Sequence, residues 1–176
     1  MKEAMQAIRD RRSCRAYKSE QITEAELQTV LQAAILAPSA RNLQQRHMSV
    51  VQNKELLEEL NAQIMPLLGE RPNGYHVFHR APTVLVLSAD KTARWGKEDI
   101  GILSENICIA AESIGLGTCL LGLPQVLLET PDGAEWLPRL KVPEGYLPVL
   151  LVSLGYKAVE DIPAKPRNQQ VISYIR

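Results

Sequence analysis

Apolar positions first recur at helical spacing at Met5 and Ile8, which predicts a helix over residues 2–11. A second helix begins at Thr23, where "TEAE" places Glu26 three residues on. That is a capping box, in which hydroxyl and carboxylate each satisfy a free backbone N–H. Leu27, Val30, Leu31, Ala34 and Ile35 continue the stripe, and Pro38 ends it. "HMSVVQ" (47–52) predicts a short strand, after which Asn53 caps a third helix carrying Leu56, Leu57, Leu60 and Ile64. "GERPNGYHVFHRAP" reads as a loop, and "TVLVLSA" (83–89) as a buried central strand rich in β-branched residues. The longest predicted helix covers 99–115, with Ile100, Leu103, Ile107, Ala110, Ala111 and Ile114 on a wide face and Ile102, Cys108 and Ile109 around it. A helix apolar nearly all round is buried on more than one side. In a chain of this size the second side is expected to be another subunit.

Gly115 reads as a left-handed helix cap. "GTCLLG" and "YLPVLLVSLGY" (146–156) follow as strands. Between them "LPQVLLETPDGAEWLPRL" predicts two short helices broken at 130–133. Helices and strands mix without strict βαβ alternation, so the class is α+β, in one domain over 1–176.

Composition narrows the function classes. The chain has 176 residues, 45% of them hydrophobic and 23% charged, the proportions of a globular protein. Twenty basic and twenty acidic residues give zero net charge, which argues against a general nucleic-acid binder. No apolar run reaches the ~18 residues of a membrane span. The start, "MKEAMQAIRDRR", lacks the apolar core of a secretory signal, so a cytoplasmic location is expected. Cys14, Cys108 and Cys119 form no C-x-x-C pair, and His76 and His79 lack a third ligand, so no metal site is expected. "GLGTCL" fails as a dinucleotide fingerprint: Leu120 stands at the third glycine position, and the motif leaves a helix instead of following a strand. No P-loop, G-x-S-x-G or H-E-x-x-H is present, and Ser13 and Ser39 have no histidine at suggestive spacing.

One feature stands out against the neutral total. "RDRRSCRAYKSEQIT" (9–23) packs four arginines and a lysine into ten residues. Two readings are open: a solvated helix end, where cations are mildly favourable, or an anion site. Three further stretches bear on the choice: "APSARNLQ" (37–44), "DIGILSENICIAAESIGLGTCLLG" (99–122) and "LLVSLGYKAVEDIPAKPR" (150–167). With "RRSCR" (11–15), in this order and spacing, they closely resemble the FMN-dependent nitroreductase family, over nearly the whole chain.

The resemblance implies an α-β-α sandwich with a central, mostly antiparallel sheet, assembled as an intertwined homodimer with FMN at the subunit interface. It implies hydride transfer from NADH or NADPH through flavin N5 to a nitroaromatic, quinone or similar small-molecule oxidant, by a ping-pong cycle. Arg11 and Arg12 would face the FMN phosphate, Ser13 would bond the polar tail, and Arg15 would lie near the N1/C2 edge. Lys165 and Arg167 would join the phosphate end. Pro38, Ser39, Ala40 and Asn42 would reach the flavin from the neighbouring subunit, and the backbone at Leu121 and Gly122 would meet N5. No side chain is expected as a general acid.

The family's Gln-Pro-Trp is replaced by Gln44, Gln45 and Arg46, so an apolar anchor is missing. Tyr75, Phe78 and Trp95 are candidates to cover the ring, and the tail "VISYIR" to embrace the partner. The alternatives are a flavin reservoir or sensor without efficient turnover, and a plain dimeric scaffold.

Overall fold

The structure, a computed structural model, describes residues 1–123, 125–159 and 162–176. Four strands form one sheet in the order β1-β2-β4-β3: β1 (Arg46–Val51), β2 (Thr83–Asp90), β3 (Leu116–Leu121) and β4 (Tyr146–Tyr156). Every pairing is antiparallel, with β2 and β4 in the middle. The central strand β2 is buried from Thr83 to Ala89, and its alternation splits the core in two. Val84 and Val86 face one layer, Leu85, Leu87 and Ala89 the other.

The first layer is α3 (Lys54–Ile64) with the short helices α5 (Gln125–Leu128) and α6 (Trp136–Arg139). Here Leu57, Leu60 and Ile64 pack with Phe78, Leu121, Trp136 and Leu151. The second is α2 (Glu24–Ile35) with α4 (Gly96–Ser113), through Val30, Ala34, Ile100, Leu103 and Ile107. The α-β-α sandwich with an antiparallel sheet is therefore as expected.

Local chemistry explains the element ends. The Thr23 side chain accepts from Glu26 N–H at 3.3 Å and Glu26 Oε2 accepts from Thr23 N–H at 2.9 Å, the full capping box. Tyr156 Oη donates to the same carboxylate at 2.7 Å, tying α2 to the end of β4. Asn53 Oδ1 accepts from Leu56 N–H at 2.8 Å. Gly115, at φ 87, closes α4 as its left-handed cap.

Three expectations are corrected. The first helix, α1 (Ala4–Asp10), buries Ala7, while Met5 and Ile8 are 59% and 46% exposed. Helix α4 starts at Gly96, three residues before the expected Asp99. A Cβ at Gly96 would lie 2.8 Å from Ala89 Cβ, so the glycine allows close approach of helix to strand. The break expected at 130–133 is a single 3₁₀ turn, Pro131–Glu135, with the Thr130 hydroxyl accepting from Gly133 N–H at 3.3 Å.

Candidate functional site

The arginine-rich segment leaves α1 and lies along the open side of edge strand β3. Cys14 N–H donates to Thr118 C=O at 2.8 Å, and Ser13 bridges to Thr118. Tyr17 Oη donates to Cys14 C=O at 2.9 Å and Tyr17 bridges to Lys157, so the segment is held at both ends. Gly117 makes this approach possible, since a Cβ there would sit 2.8 Å from both Cβ and Sγ of Cys14. Below it, Glu112 is 3% exposed and accepts from Lys2 at 2.8 Å and Lys157 at 2.6 Å, joining chain start, α4 and β4.

The arginines differ in their company. Arg11 Nε pairs with Glu105 on α4 at 3.2 Å. Arg12 Nη1 donates to the carbonyls of Arg9 and Arg11 at 2.7 and 2.8 Å, while its Nε is buried with no hydrogen-bond partner. Arg15 makes only a 3.4 Å contact with Ser13 C=O. Among the described residues neither Arg12 nor Arg15 has a carboxylate within salt-bridge reach. A buried guanidinium N–H without an acceptor is unfavourable, and an anion supplied from outside would correct it.

Further along the same edge, Leu121 is buried in β3 and Gly122 is exposed just past the strand. Among the described residues a Cβ on Gly122 would meet only Gln125 Oε1, at 3.9 Å, and the residue is exposed. Burial pushes the Cys108 thiol up to about 11 and also raises that of Cys119, with nearby Arg15 opposing the Cys119 shift. Neither thiol is poised as a thiolate nucleophile.

The second stretch, 37–44, forms a tight turn at the other end of α4. Ala40 N–H donates to Asp99 Oδ1 at 2.9 Å, and Ser39 Oγ accepts from Gln44 N–H at 3.0 Å. Arg41, Asn42 and Gln44 sit at φ 53, 55 and 53, a run of left-handed side-chain-bearing residues rarely tolerated outside sites. Arg46 explains the departure from the family pattern. Its guanidinium donates to the carbonyls of Ile35 (3.0 Å), Ala37 (2.5 Å) and Pro38 (3.1 Å), closing the end of α2 with polar contacts in place of an apolar anchor.

The structure thus brings Arg11, Arg12, Ser13 and Arg15 to one edge of the sheet, which ends in Leu121 and Gly122. It holds Pro38, Ser39, Ala40 and Asn42 elsewhere. Ala40 lines a 170 Å³ cleft with Trp95 and Asp99, and Arg15 lines a different one. Lys165 and Arg167 lie in an exposed C-terminal stretch, and no hydrogen bond joins them to the arginine segment among the described residues. Phe78 does not cover a ring: it is fully buried in the first core layer. Trp95 stays 49% exposed beside Arg94, and Tyr75 is half-buried. No group of three or more metal-ligating side chains occurs among the described residues, and no helix there is long and apolar enough to cross a membrane.

Sequence reasoning missed the organising role of His76, whose neighbourhood carries no motif. Its Nδ1 accepts from Phe78 N–H at 3.1 Å, so in the neutral ring Nε2 carries the proton. Burial, with Arg80 adding to it and Glu58 opposing it, holds His76 below the ordinary imidazole value.

An all-antiparallel four-stranded sheet between two helical layers, with Arg12 and Arg15 along one edge strand and free of carboxylate partners among the described residues, defines an α+β sandwich. The chain belongs to the nitroreductase family, whose model matches residues 8–156. A solved nitroreductase with bound FMN from Desulfitobacterium hafniense is 32% identical, covers 100% of both chains and superposes with a TM-score of 0.90. One from Bacteroides fragilis, also with bound FMN, is 28% identical over 100% of both chains, with a TM-score of 0.90. An FMN reductase (NAD(P)H) of Bacillus subtilis is 27% identical, over 97% of this chain and 72% of its own.

Proposed function

We propose that this chain is an NAD(P)H-dependent FMN oxidoreductase, acting as one domain over 1–176 in a homodimer. Its donor and its acceptor, a nitroaromatic, a quinone or a similar small oxidant, would use one site in turn. Bound FMN supplies the chemistry, exchanging hydride at N5. The chain's own residues bind, orient and exclude water.

Arg12 and Arg11 neutralise the cofactor phosphate and Ser13 bonds its polar tail. Arg15, nearest the cleft, stabilises negative charge at the N1/C2 edge. The exposed backbone at Gly122, next to Leu121, offers a neutral donor toward N5, where no titrating acid is required. Ala40 lines a cleft apart from these residues, and Pro38, Ser39 and Asn42 belong to the same turn, which supports their serving the site of a second copy. Lys165 and Arg167, on the exposed tail, complete the phosphate end in the dimer.

The observation that carries this reading is the buried, partnerless Nε of Arg12, on a segment held against the edge strand that leads to Gly122. The test is FMN titration, followed by anaerobic reduction with NADH and with NADPH. The parent protein is expected to be yellow and to bleach with a pyridine nucleotide. Arg12→Ala is expected to weaken FMN binding roughly 10- to 150-fold, the loss of one charge-assisted contact worth about 1.5–3 kcal/mol. An unchanged dissociation constant would remove Arg12 from the site, and a colourless protein that refuses FMN would overturn the function.

A further inference from the structure

The segment between α3 and β2 builds a second concave surface next to the arginine edge. A cleft of 280 Å³ is lined by Arg15, Tyr75, His76, His79 and Arg80, with the turn at 72–74. Its lining carries two guanidinium groups and two imidazoles and, among the described residues, no carboxylate. Arg71 adds a third guanidinium at the rim, 5.8 Å from the centre of the Tyr75 ring. Tyr75 and His79 meet edge to face at 6.1 Å and form an aromatic wall. Glu58 approaches from behind: its Oε2 is 3.4 Å from His76 Nε2, in a geometry that leaves this buried nitrogen without a hydrogen bond.

The backbone fixes this arrangement firmly. His76 Nδ1 accepts from Phe78 N–H at 3.1 Å and from Arg80 N–H at 3.4 Å. Phe78 is locked in the core, its carbonyl accepting from Ser153 Oγ at 2.9 Å. Val77 N–H is held by Asn61 Oδ1 at 2.9 Å. Between these anchors His79 and Arg80 sit in consecutive left-handed conformations, φ 54 and 57. Glycine would occupy φ 57 without strain, yet the chain keeps a cation there.

We propose, resting on the function given above, that this cleft selects an anionic substituent on the flat molecule that exchanges electrons beside Arg15. The substituent is a carboxylate or a phosphate. A volume of 280 Å³ falls short of the ~300–1,000 Å³ of a whole-ligand pocket, so the cleft takes one ring or one charged group. Arg80 and Arg71 supply the charge, and the Tyr75–His79 wall supplies a surface for a planar group. The anion has two sources, a carboxylate on the acceptor or the additional phosphate of NADPH.

The test compares matched pairs on the FMN-loaded dimer. One arm sets para-nitrobenzoate against neutral para-nitrobenzamide at fixed NADH; the other sets NADPH against NADH with menadione as acceptor. One of the two arms is expected to favour the anion roughly tenfold in kcat/KM, mostly through KM, the effect of one charge-assisted contact. That preference should shrink toward unity in about 0.5 M salt. Arg80→Gly removes the guanidinium at a backbone position suited to glycine, and should abolish the preference while the flavin spectrum is kept. Arg80→Lys should restore part of it. Parity of both pairs in the parent protein, or an undiminished preference in Arg80→Gly, overturns the subsite. A parent protein that binds no FMN or oxidises neither nucleotide overturns the function itself, so the two failures are told apart.

Discussion

Gly117→Ala tests how the arginine segment is held. The added methyl would meet Cys14 Cβ and Sγ at 2.8 Å and Lys157 Cγ at 2.9 Å. Carbon contacts relax near 3.5–4.0 Å, so Cys14 must retreat by about 0.7–1.2 Å. Its N–H bond to Thr118, now 2.8 Å, would stretch beyond 3.5 Å and cease to be one. Overpacking costs about 1–3 kcal/mol and the lost hydrogen bond about 1 kcal/mol. Reduced freedom of the unfolded chain returns about 0.4–1 kcal/mol. The net, about 1–3.5 kcal/mol, falls on any ligand that needs the segment in its native place, a loss of roughly 5- to 400-fold in affinity. FMN titration by fluorescence reads this directly, and thermal unfolding of the flavin-free protein reads the cost to the fold. If Gly117→Ala bound FMN within about threefold of the parent, docking of residues 11–15 against β3 would not be what orders the cation site.

Two further outcomes follow from the same structure. His76 and His79 both lie below the ordinary imidazole value of 6.5, through burial first, with Arg80 adding to the effect at His76 and Arg15 then His76 at His79. As pH falls through 6.5 the unfolded chain takes up these protons before the folded one, so stability is full above that value and declines below it. Thermal unfolding should show Tm dropping from pH 7 to 5, at no more than about 1.4 kcal/mol per pH unit for each proton, and a flat profile would refute the assignment. The parent protein is expected to be a dimer by light scattering, and Ile102→Glu, placing a charge on the exposed side of α4, should be monomeric and bind FMN more weakly. A variant that stays dimeric and yellow would place the interface elsewhere.

How much of this was legible in the sequence depends on the kind of signal. The strand "YLPVLLVSLGY" coincides with β4, because an unbroken β-branched and apolar run has few other destinations. The caps at Thr23, Asn53 and Gly115 were readable because each is a local hydrogen-bonding or dihedral requirement. Met5 and Ile8 were correctly seen as one face of a helix, but periodicity reveals that a face is apolar, not what covers it. Gly96 gave no local signal, because the room it leaves for Ala89 exists only in three dimensions. The loop at 69–82 hid a fully buried Phe78 and the hydrogen bonds of His76 beneath a loop-like composition of Gly, Pro and Asn. Nothing local could tell that residues 13 and 14 lie beside Thr118. The family resemblance implied a shared cofactor for residues 11–15 and 121–122, and the strand contact itself appears only in the structure.

The spacing of anchors along α4 keeps the two candidate motifs apart within one chain. Asp99 holds the turn at 37–44 and Glu105 holds Arg11, six residues further on, which is about 9 Å along the helix axis. Both anchors are on one rigid element, so neither motif can swing over to meet the other within the chain. Between and beside them the outward side of α4 carries Ile102, with Met5 and Ile8 on α1 and Ile35 and Leu36 at the end of α2, all exposed. These two helices are the ones that pack on α4 in this layer. A two-fold contact made by this patch would be self-complementary. Were the two copies of α4 to pair antiparallel across it, the Asp99 end of one would approach the Glu105–Glu112 half of the other. The turn of one copy and the arginines of its mate would then face a common space, and covering the apolar patch and completing the cofactor site become a single event.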